Sequence, residues 1–292
     1  MYLQGVGDFM KKEEIRIRDP FILVDDKTKT YYMYGTTDLV YDSYMTYPRF
    51  FVYVSRDLEN FEGPYVVFDG KKENFWATHD YWAAEVWQYN GKYYLFGSFK
   101  AENMRRATQI LESDTPLGPF KPISAKSHTP DMWECLDGTF WVENGTPYLV
   151  FCHEWVQCEN GEMCAVELSK DLKDTVGEPF LLFKASDNPY TSSFERNDLK
   201  NCRVTDGPFL FKENGKLKMI WSSYADGRYA VLEAVSDNLR GVWSHRKPRF
   251  DFDGGHAMLF KTFEGKRYIA LHHPNEPSKE RAQFIYYQEN KS

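Results

Sequence analysis

The chain has 292 residues, long for one ordinary domain, with 42% hydrophobic and 17% aromatic content, enough for a packed core with aromatics left over. Its formal net charge is −7 and no basic stripe is present, which argues against nucleic acid as a partner. No apolar run approaches the ~20 residues that span a membrane. Surplus Trp and Tyr either stack on the apolar faces of sugars or fill gaps between twisted sheets.

In chain order, the first unit opens at Asp19-Pro20-Phe21. It predicts strands at 21–24, 30–34 and 50–54, a turn at Asp25-Asp26-Lys27, and a closing Ser55-Arg56-Asp57-Leu58 that leads into an outer strand. The second opens at Ala84-Glu85-Val86, turns at Asn90-Gly91, predicts strands at 86–89, 93–96 and 107–111, and closes at Ser113-Asp114. The third opens at Asp137-Gly138-Thr139, turns at Asn144-Gly145, predicts strands at 139–142, 147–151 and 165–168, and closes at Ser169-Lys170-Asp171-Leu172. The fourth opens at Asp206-Gly207-Pro208, turns at Asn214-Gly215, predicts strands at 209–211, 218–221 and 229–234, and closes at Ser236-Asp237-Asn238-Leu239. The fifth opens at Gly255-His256-Ala257, turns at Glu264-Gly265 and predicts strands at 258–260, 268–271 and 284–287. It lacks the serine closure, so its outer strand is either missing or supplied by the residues before Asp19.

Alternation with period two, rich in aromatic and β-branched residues, argues strands. Asn-Gly is the strongest short hairpin signal, because a type I′ turn needs positive φ twice. One small sheet repeated five times predicts an all-β, five-bladed β-propeller. The whole of 1–292 forms a single domain, with blades at about 19–62, 82–120, 137–178, 206–245 and 255–288. Residues 1–12 lack a signal-peptide core, so the expected location is cytoplasmic, or periplasmic or secreted after loss of a leader. The five cysteines, Cys135, Cys152, Cys158, Cys164 and Cys202, fit no common zinc spacing and are expected as free thiols. A Cys158–Cys202 disulfide is conceivable.

In a propeller the innermost strand of each blade lines the channel, so residues at the strand starts converge at one mouth. Asp19, Glu85, Asp137, Asp206 and His256 take this place in units one to five. Like charges in a confined site repel and push their pKa values apart. Such a cluster is tolerated where it does acid/base work or holds a cation. One Asp beside Gly or Pro has the simpler use of capping a turn; five such positions in register point to function. Glu154, in His153-Glu154-Trp155, is a further acid, and no second His follows at zinc-protease spacing. Phe21, Tyr81, Trp82, Trp133, Phe140 and Trp155 are candidates for a sugar-binding wall, Trp82 and Phe140 foremost. His272-His273-Pro274-Asn275 is expected as a hydrogen-bonded loop.

Taken together, Arg18-Asp19-Pro20, Trp82-Ala83-Ala84-Glu85-Val86, Leu136-Asp137-Gly138-Thr139-Phe140, Thr205-Asp206-Gly207-Pro208 and Gly254-Gly255-His256-Ala257-Met258 resemble glycoside hydrolase family 43. The resemblance runs from Arg18 to the last strand, with the motifs in family order. It implies an inverting glycosidase with Asp19 as general base and Asp137 orienting the acid and tuning its pKa. The general acid opens blade four and is usually Glu in the family; here it is Asp206, one methylene shorter, with Glu85 and Glu154 as alternatives. Phe21, Trp82, Glu85, Phe140 and Glu154 are the candidate substrate contacts, and the resemblance adds Arg281. The resemblance requires no cofactor, and associates His256 with a channel cation, Ca²⁺ held largely through waters.

The implied activity is hydrolysis of plant-polysaccharide glycosides, as an α-L-arabinofuranosidase and/or β-D-xylosidase. A β-D-galactofuranosidase or galactan-active enzyme, and a non-catalytic sugar-binding propeller, are the alternatives. The expected partner is an oligosaccharide or a polysaccharide side chain, met by a monomer or weak oligomer.

Overall fold

The alternating segments form five antiparallel sheets. The computed structural model describes residues 8–37 and 47–288. Blade one runs from channel to rim through Arg18–Asp25, Thr30–Thr36, Arg49–Ser55 and Asn60–Asp69, with Asp8–Lys11 added outside. Blade two is His79–Tyr89, Lys92–Lys100, Ala107–Ser113 and Lys121–Pro122. Blade three is Cys135–Glu143, Thr146–His153, Glu162–Leu168 and Thr175–Lys184. Blade four is Asp206–Glu213, Lys216–Ala225, Arg228–Ser236 and Ser244–His245, and blade five is Gly255–Lys261, Arg267–His273 and Arg281–Tyr286. A separate hairpin, Phe194–Arg196 with Leu199–Cys202, stands in the connection between blades three and four. The chain is an all-β, five-bladed propeller in a single domain.

Local chemistry makes the turns. Asn90-Gly91, Asn144-Gly145 and Asn214-Gly215 all carry positive φ at both residues (47° and 80°, 51° and 79°, 50° and 75°), the type I′ geometry that matches strand twist. The closing serines tie down the next turn: Ser55 Oγ accepts the Leu58 N–H at 2.9 Å, and Ser169 Oγ accepts the Asp174 N–H at 3.1 Å. Between blades the sheets bury large side chains, Tyr34, Phe50 and Phe61 in one cluster and Trp221 with Met219 and Leu232 in another. Each such side chain contributes about 1.5–3 kcal/mol.

Topology decides between the alternatives at two places: among the described residues blade five has three strands and no outer one, and the cysteines are free thiols as expected. The N-terminal segment mainly serves blade one, where Asp8–Lys11 pairs with residues 60–63 and covers an otherwise open sheet edge. Blade five receives from it a single bridge, Arg16 to Arg281, and the Ile17 N–H donating to the Glu280 carbonyl at 3.3 Å. Residues 1–7 of that segment, and 38–46 within blade one, lie outside the described residues. All five cysteines are free, so the Cys158–Cys202 bridge is not formed.

Every inner strand begins with the same irregularity. The register shifts between Arg18 and Phe21, Trp82 and Glu85, Leu136 and Thr139, Asp206 and Phe209, and Gly255 and Met258. The second residue of each bulge has left-handed backbone: Asp19 (φ 55°), Ala83 (49°), Asp137 (54°), Gly207 (50°) and His256 (50°). Its N–H, turned out of the ladder, donates to a side chain on the preceding blade. Ala83 bonds Thr36 Oγ1 at 2.7 Å, Asp137 bonds Ser98 Oγ at 2.8 Å, Gly207 bonds Asp137 Oδ2 at 3.0 Å, and His256 bonds Ser222 Oγ at 2.8 Å. Asp19 bonds His272 Nδ1 at 3.2 Å and so joins the last blade to the first. This ring of five hydrogen bonds satisfies donors that would otherwise be orphaned in the interior.

Candidate active site

The bulge sorts the channel into layers, and this corrects the equivalence assumed for the five openings. Asp19, Asp137 and His256 share one layer, with Ala83 and Gly207 in the remaining two blades. Asp206 stands one residue earlier, level with Arg18, Trp82 and Leu136. Glu85 stands two residues later, level with Phe21, Thr139, Phe209 and Met258. The first two layers open on a cavity of about 500 Å³ lined by Arg18, Asp19, Trp82, Asp137, Asp206 and His256; the third layer does not reach it.

The middle layer is tightly connected. His256 Nδ1 lies 3.2 Å from Asp19 Oδ1 and 3.5 Å from Asp137 Oδ2. Thr36 Oγ1 donates to Asp19 Oδ2 at 2.6 Å. Gly207 is required here, since a Cβ would meet the His256 ring at 2.7 Å on a backbone already at φ 50°. Burial pushes the Asp19 carboxyl up, but His256, His272 and Arg18 outweigh it and hold Asp19 far below the ordinary carboxylate range. Asp137 goes the other way: burial first, then the charge of Asp19, push it up to about 7.

Asp206 is half-buried at the cavity wall. Loss of hydration first, then the charge of Asp137, raises its carboxyl well above the ordinary value. It is hydrogen-bonded to Asp137, and the Tyr229 hydroxyl donates to its Oδ2 at 2.9 Å. Tyr229 stacks on His272 with centroids 5.6 Å apart, and Gly255 leaves the space, since a Cβ there would meet the Tyr229 ring at 2.4 Å.

Glu154 also lines the cavity. It is buried and held by Arg106, whose Nε lies 3.3 Å from Oε2. The same guanidinium reaches Asp80 Oδ2 at 3.1 Å and lies 3.8 Å from the centroid of the Trp82 ring. Arg106 therefore fixes two cavity residues together. Next to Glu154, Trp155 packs edge-on against Phe194 at 5.0 Å, and Phe194 against Tyr224 at 5.8 Å, so the hairpin between blades three and four supplies part of the wall.

Several anticipated contacts lie elsewhere. Glu85 is buried beneath the cavity, accepting from Thr139 Oγ1 at 2.6 Å and Trp87 Nε1 at 2.9 Å. Phe21 packs on Trp87 and Phe209 within the channel, at 5.3 and 6.4 Å. Phe140 packs on Phe96 and Tyr89 between blades, at 5.5 and 5.2 Å. Both plug the interior, because strand alternation turns them away from the mouth. Tyr81 is in the core with its hydroxyl on the Ala77 carbonyl, and Trp133 stacks on His153. Arg281 Nε donates to the Glu13 carbonyl at 2.7 Å and Nη1 to that of Glu280 at 2.8 Å, away from the cavity. His272 is not in a loop: it lies in the strand that ends at His273, fully buried, and closes the blade ring. Sequence reasoning also missed Arg106, Tyr229, Phe194 and Tyr224, none of which sits in a repeated phrase.

A channel Ca²⁺ would not be held directly by this layer. Among the described residues, the trio whose ligand atoms lie within 4.8 Å of one another is His153, Cys158 and Glu162, on the rim of blade three. His256 Nδ1 instead lies between the Asp19 and Asp137 carboxyls, at 3.2 and 3.5 Å.

A carboxylate held ionised and a carboxylic acid held protonated, opening on one cavity at the mouth of a propeller, are the equipment of an enzyme that cleaves glycosidic bonds. The chain matches the family Glycosyl hydrolases family 43 over residues 14–285 and belongs to it. Among solved structures, an endo-arabinase from Bacteroides thetaiotaomicron superposes with a TM-score of 0.88 at 38% identity, covering 99% of each chain. A thermostable family-43 glycoside hydrolase shares the fold at TM-score 0.74 and 23% identity, covering 99% of this chain and 94% of the other. A xylosidase/arabinosidase from Bacteroides ovatus is 25% identical over 228 residues, 70% of this chain and 67% of that protein. An extracellular exo-α-(1→5)-L-arabinofuranosidase from Streptomyces chartreusis is 26% identical over 215 residues, 67% of this chain and 62% of its own length.

Proposed function

We propose that this glycoside hydrolase cleaves α-L-arabinofuranosyl linkages of plant polysaccharides with inversion of configuration. The observation that carries the reading is the divergence of Asp19 and Asp206, one ionised and one protonated, on the same cavity. Asp19 takes a proton from water as it attacks the anomeric carbon. Asp206 gives its proton to the departing glycosidic oxygen, and Asp137, bonded to Asp206 and to the Gly207 N–H, orients that acid. Glu154 is paired with Arg106 and serves as an acceptor for sugar hydroxyls rather than as the acid. The arabinose preference is supported by the names of the relatives, foremost the arabinase at 38% identity. The xylosidase/arabinosidase relative supports β-D-xyloside as a second substrate.

The test is a panel of aryl α-L-arabinofuranoside, β-D-xyloside and β-D-galactofuranoside, with arabinan oligosaccharides and the product anomer followed by NMR. Arabinoside turnover with inverted product is expected. Retention, or binding without turnover on any glycoside, overturns the reading. Asp206→Asn should lose poor-leaving-group substrates by about 10²–10⁴-fold while keeping activated aryl glycosides. Should Glu154→Gln show that pattern instead, the acid is Glu154.

A further inference from the structure

The hairpin joining the second and third strands of blade three carries a cluster that the cavity chemistry leaves unused. His153 ends one strand, Cys158 ends the one-turn helix Trp155–Cys158, and Glu162 begins the next strand. One ligand atom from each lies within 4.8 Å of the other two. The spacing along the chain fits no common zinc motif; only the hairpin brings the three together.

His153 is held more firmly than an ion pair requires. The Trp133 ring stacks on it at 4.3 Å and 15°. Gln157 is oriented by backbone on both sides: its Nε2 donates to the Met132 carbonyl at 2.9 Å, and its Oε1 accepts the Glu134 N–H at 2.7 Å. That same Oε1 lies 3.1 Å from His153 Nε2 and is an acceptor only, so Nε2 carries a hydrogen. His153 Nδ1 then faces a second acceptor, Glu162 Oε2, at 2.9 Å. Two electron-rich atoms at that distance need a cation between them, a proton or a metal ion. Cys158 Sγ stands alongside, with the carbonyls of His153, Glu154 and Asn160 at 3.4, 3.3 and 3.5 Å. Lys184 Nζ takes the other carboxylate oxygen, Oε1, at 3.0 Å.

We propose that His153 Nδ1, Cys158 Sγ and Glu162 Oε2 form a binding site for Zn²⁺ or a similar borderline-soft divalent ion, with water as fourth ligand. A nitrogen, sulfur and oxygen donor set suits Zn²⁺. The Gln157 bond to the far ring nitrogen is the outer-shell support that orients a ligating histidine. Tetrahedral Zn²⁺ places its donors roughly 3.3–3.8 Å apart, so the His–Glu pair opens slightly and the thiolate moves in. The helix that carries Cys158 also begins with Trp155 and follows Glu154, both on the cavity wall. Occupancy therefore clamps that wall.

The experiment is titration of the metal-stripped, full-length chain with Co²⁺, then displacement by Zn²⁺. One equivalent should produce a thiolate-to-cobalt charge-transfer band in the near ultraviolet and intense tetrahedral absorption in the visible. The other four cysteines are buried, so Cys158→Ser should abolish the band. Gln157→Leu should weaken Zn²⁺ binding by about 10–100-fold, and His153→Gln by more. Zn²⁺ should raise the Tm of the wild type and not of Cys158→Ser. Absence of the band, or its survival in folded Cys158→Ser, overturns the site. So does equal Zn²⁺ affinity in wild type, His153→Gln and Glu162→Gln.

Discussion

Asp19 and Glu85 are both buried carboxylates lining one channel, two bulge positions apart, and they meet opposite fates. Asp19 has His256, His272 and Arg18 beside it, and together they hold its carboxyl far below the ordinary range. Glu85 accepts from Thr139 and Trp87 and also feels His256, yet burial outweighs all three and pushes it up to about 7. Depth alone does not decide whether a carboxyl is charged; the company at that depth does. At the mouth of this propeller one carboxyl, Asp19, is held low and another, Asp206, is raised, while Glu85 on the floor beneath does not reach the cavity.

The comparison predicts its largest effect at the mouth. Asp19→Asn should lower kcat by about 10²–10⁴-fold on every substrate, activated or not, with the fold intact by circular dichroism. A small loss would show that another group activates water.

Next comes the floor. Glu85 is neutral when folded up to about pH 7, against an ordinary value of 4.5. The folded state therefore holds an extra proton between these values, and wild-type stability falls as pH rises through that window. Glu85→Gln should remove the Glu85 share of that fall, leaving the share of Asp137, and gain about 3 kcal/mol relative to wild type above pH 7, from 1.36 kcal/mol per unit. Wild-type denaturation midpoints that are flat between pH 5 and 8 would contradict a neutral Glu85.

A smaller effect is expected where mouth and cavity meet. The Tyr229 hydroxyl bonds Asp206 and pulls its pKa down. Tyr229→Phe should move the alkaline limb of kcat/KM to higher pH, by an amount set by one hydrogen bond of about 0.5–1.5 kcal/mol. An unmoved or falling limb means the hydroxyl does not act on the acid.

The smallest sits in the backbone of the ring. Ala83 is the non-Gly residue at φ 49° whose left-handed geometry is not eased by a polar side chain. Ala83→Gly should stabilise by about 0.5–1 kcal/mol in urea unfolding. Destabilisation would show that its methyl packs usefully.

Much of the fold was legible because its signals are local. Alternation and the Asn-Gly pairs act over a few residues, so blades and turns follow from chain order. The convergence of Asp19, Asp137 and His256 was legible for a related reason: all three occupy the same bulge position. Phe21 and Phe140 were misplaced because one residue along a strand reverses the direction of a side chain. The bulge that sets the count is a property of pairing with the next strand. Arg106, Tyr229 and Phe194 stayed hidden because they lie just before a third strand, within one, or in an inserted hairpin, outside any repeated phrase.

By itself, then, the sequence determined five sheets, their turns and a channel rich in carboxylates, since these depend on neighbours a few positions away. Which carboxylates share a layer, which reach the cavity and which are charged was decided by tertiary structure. Register is a pairing between strands, and charge in a buried site is a sum over partners that arrive from different blades. Neither quantity exists until the ring is closed, where the Asp19 N–H meets His272.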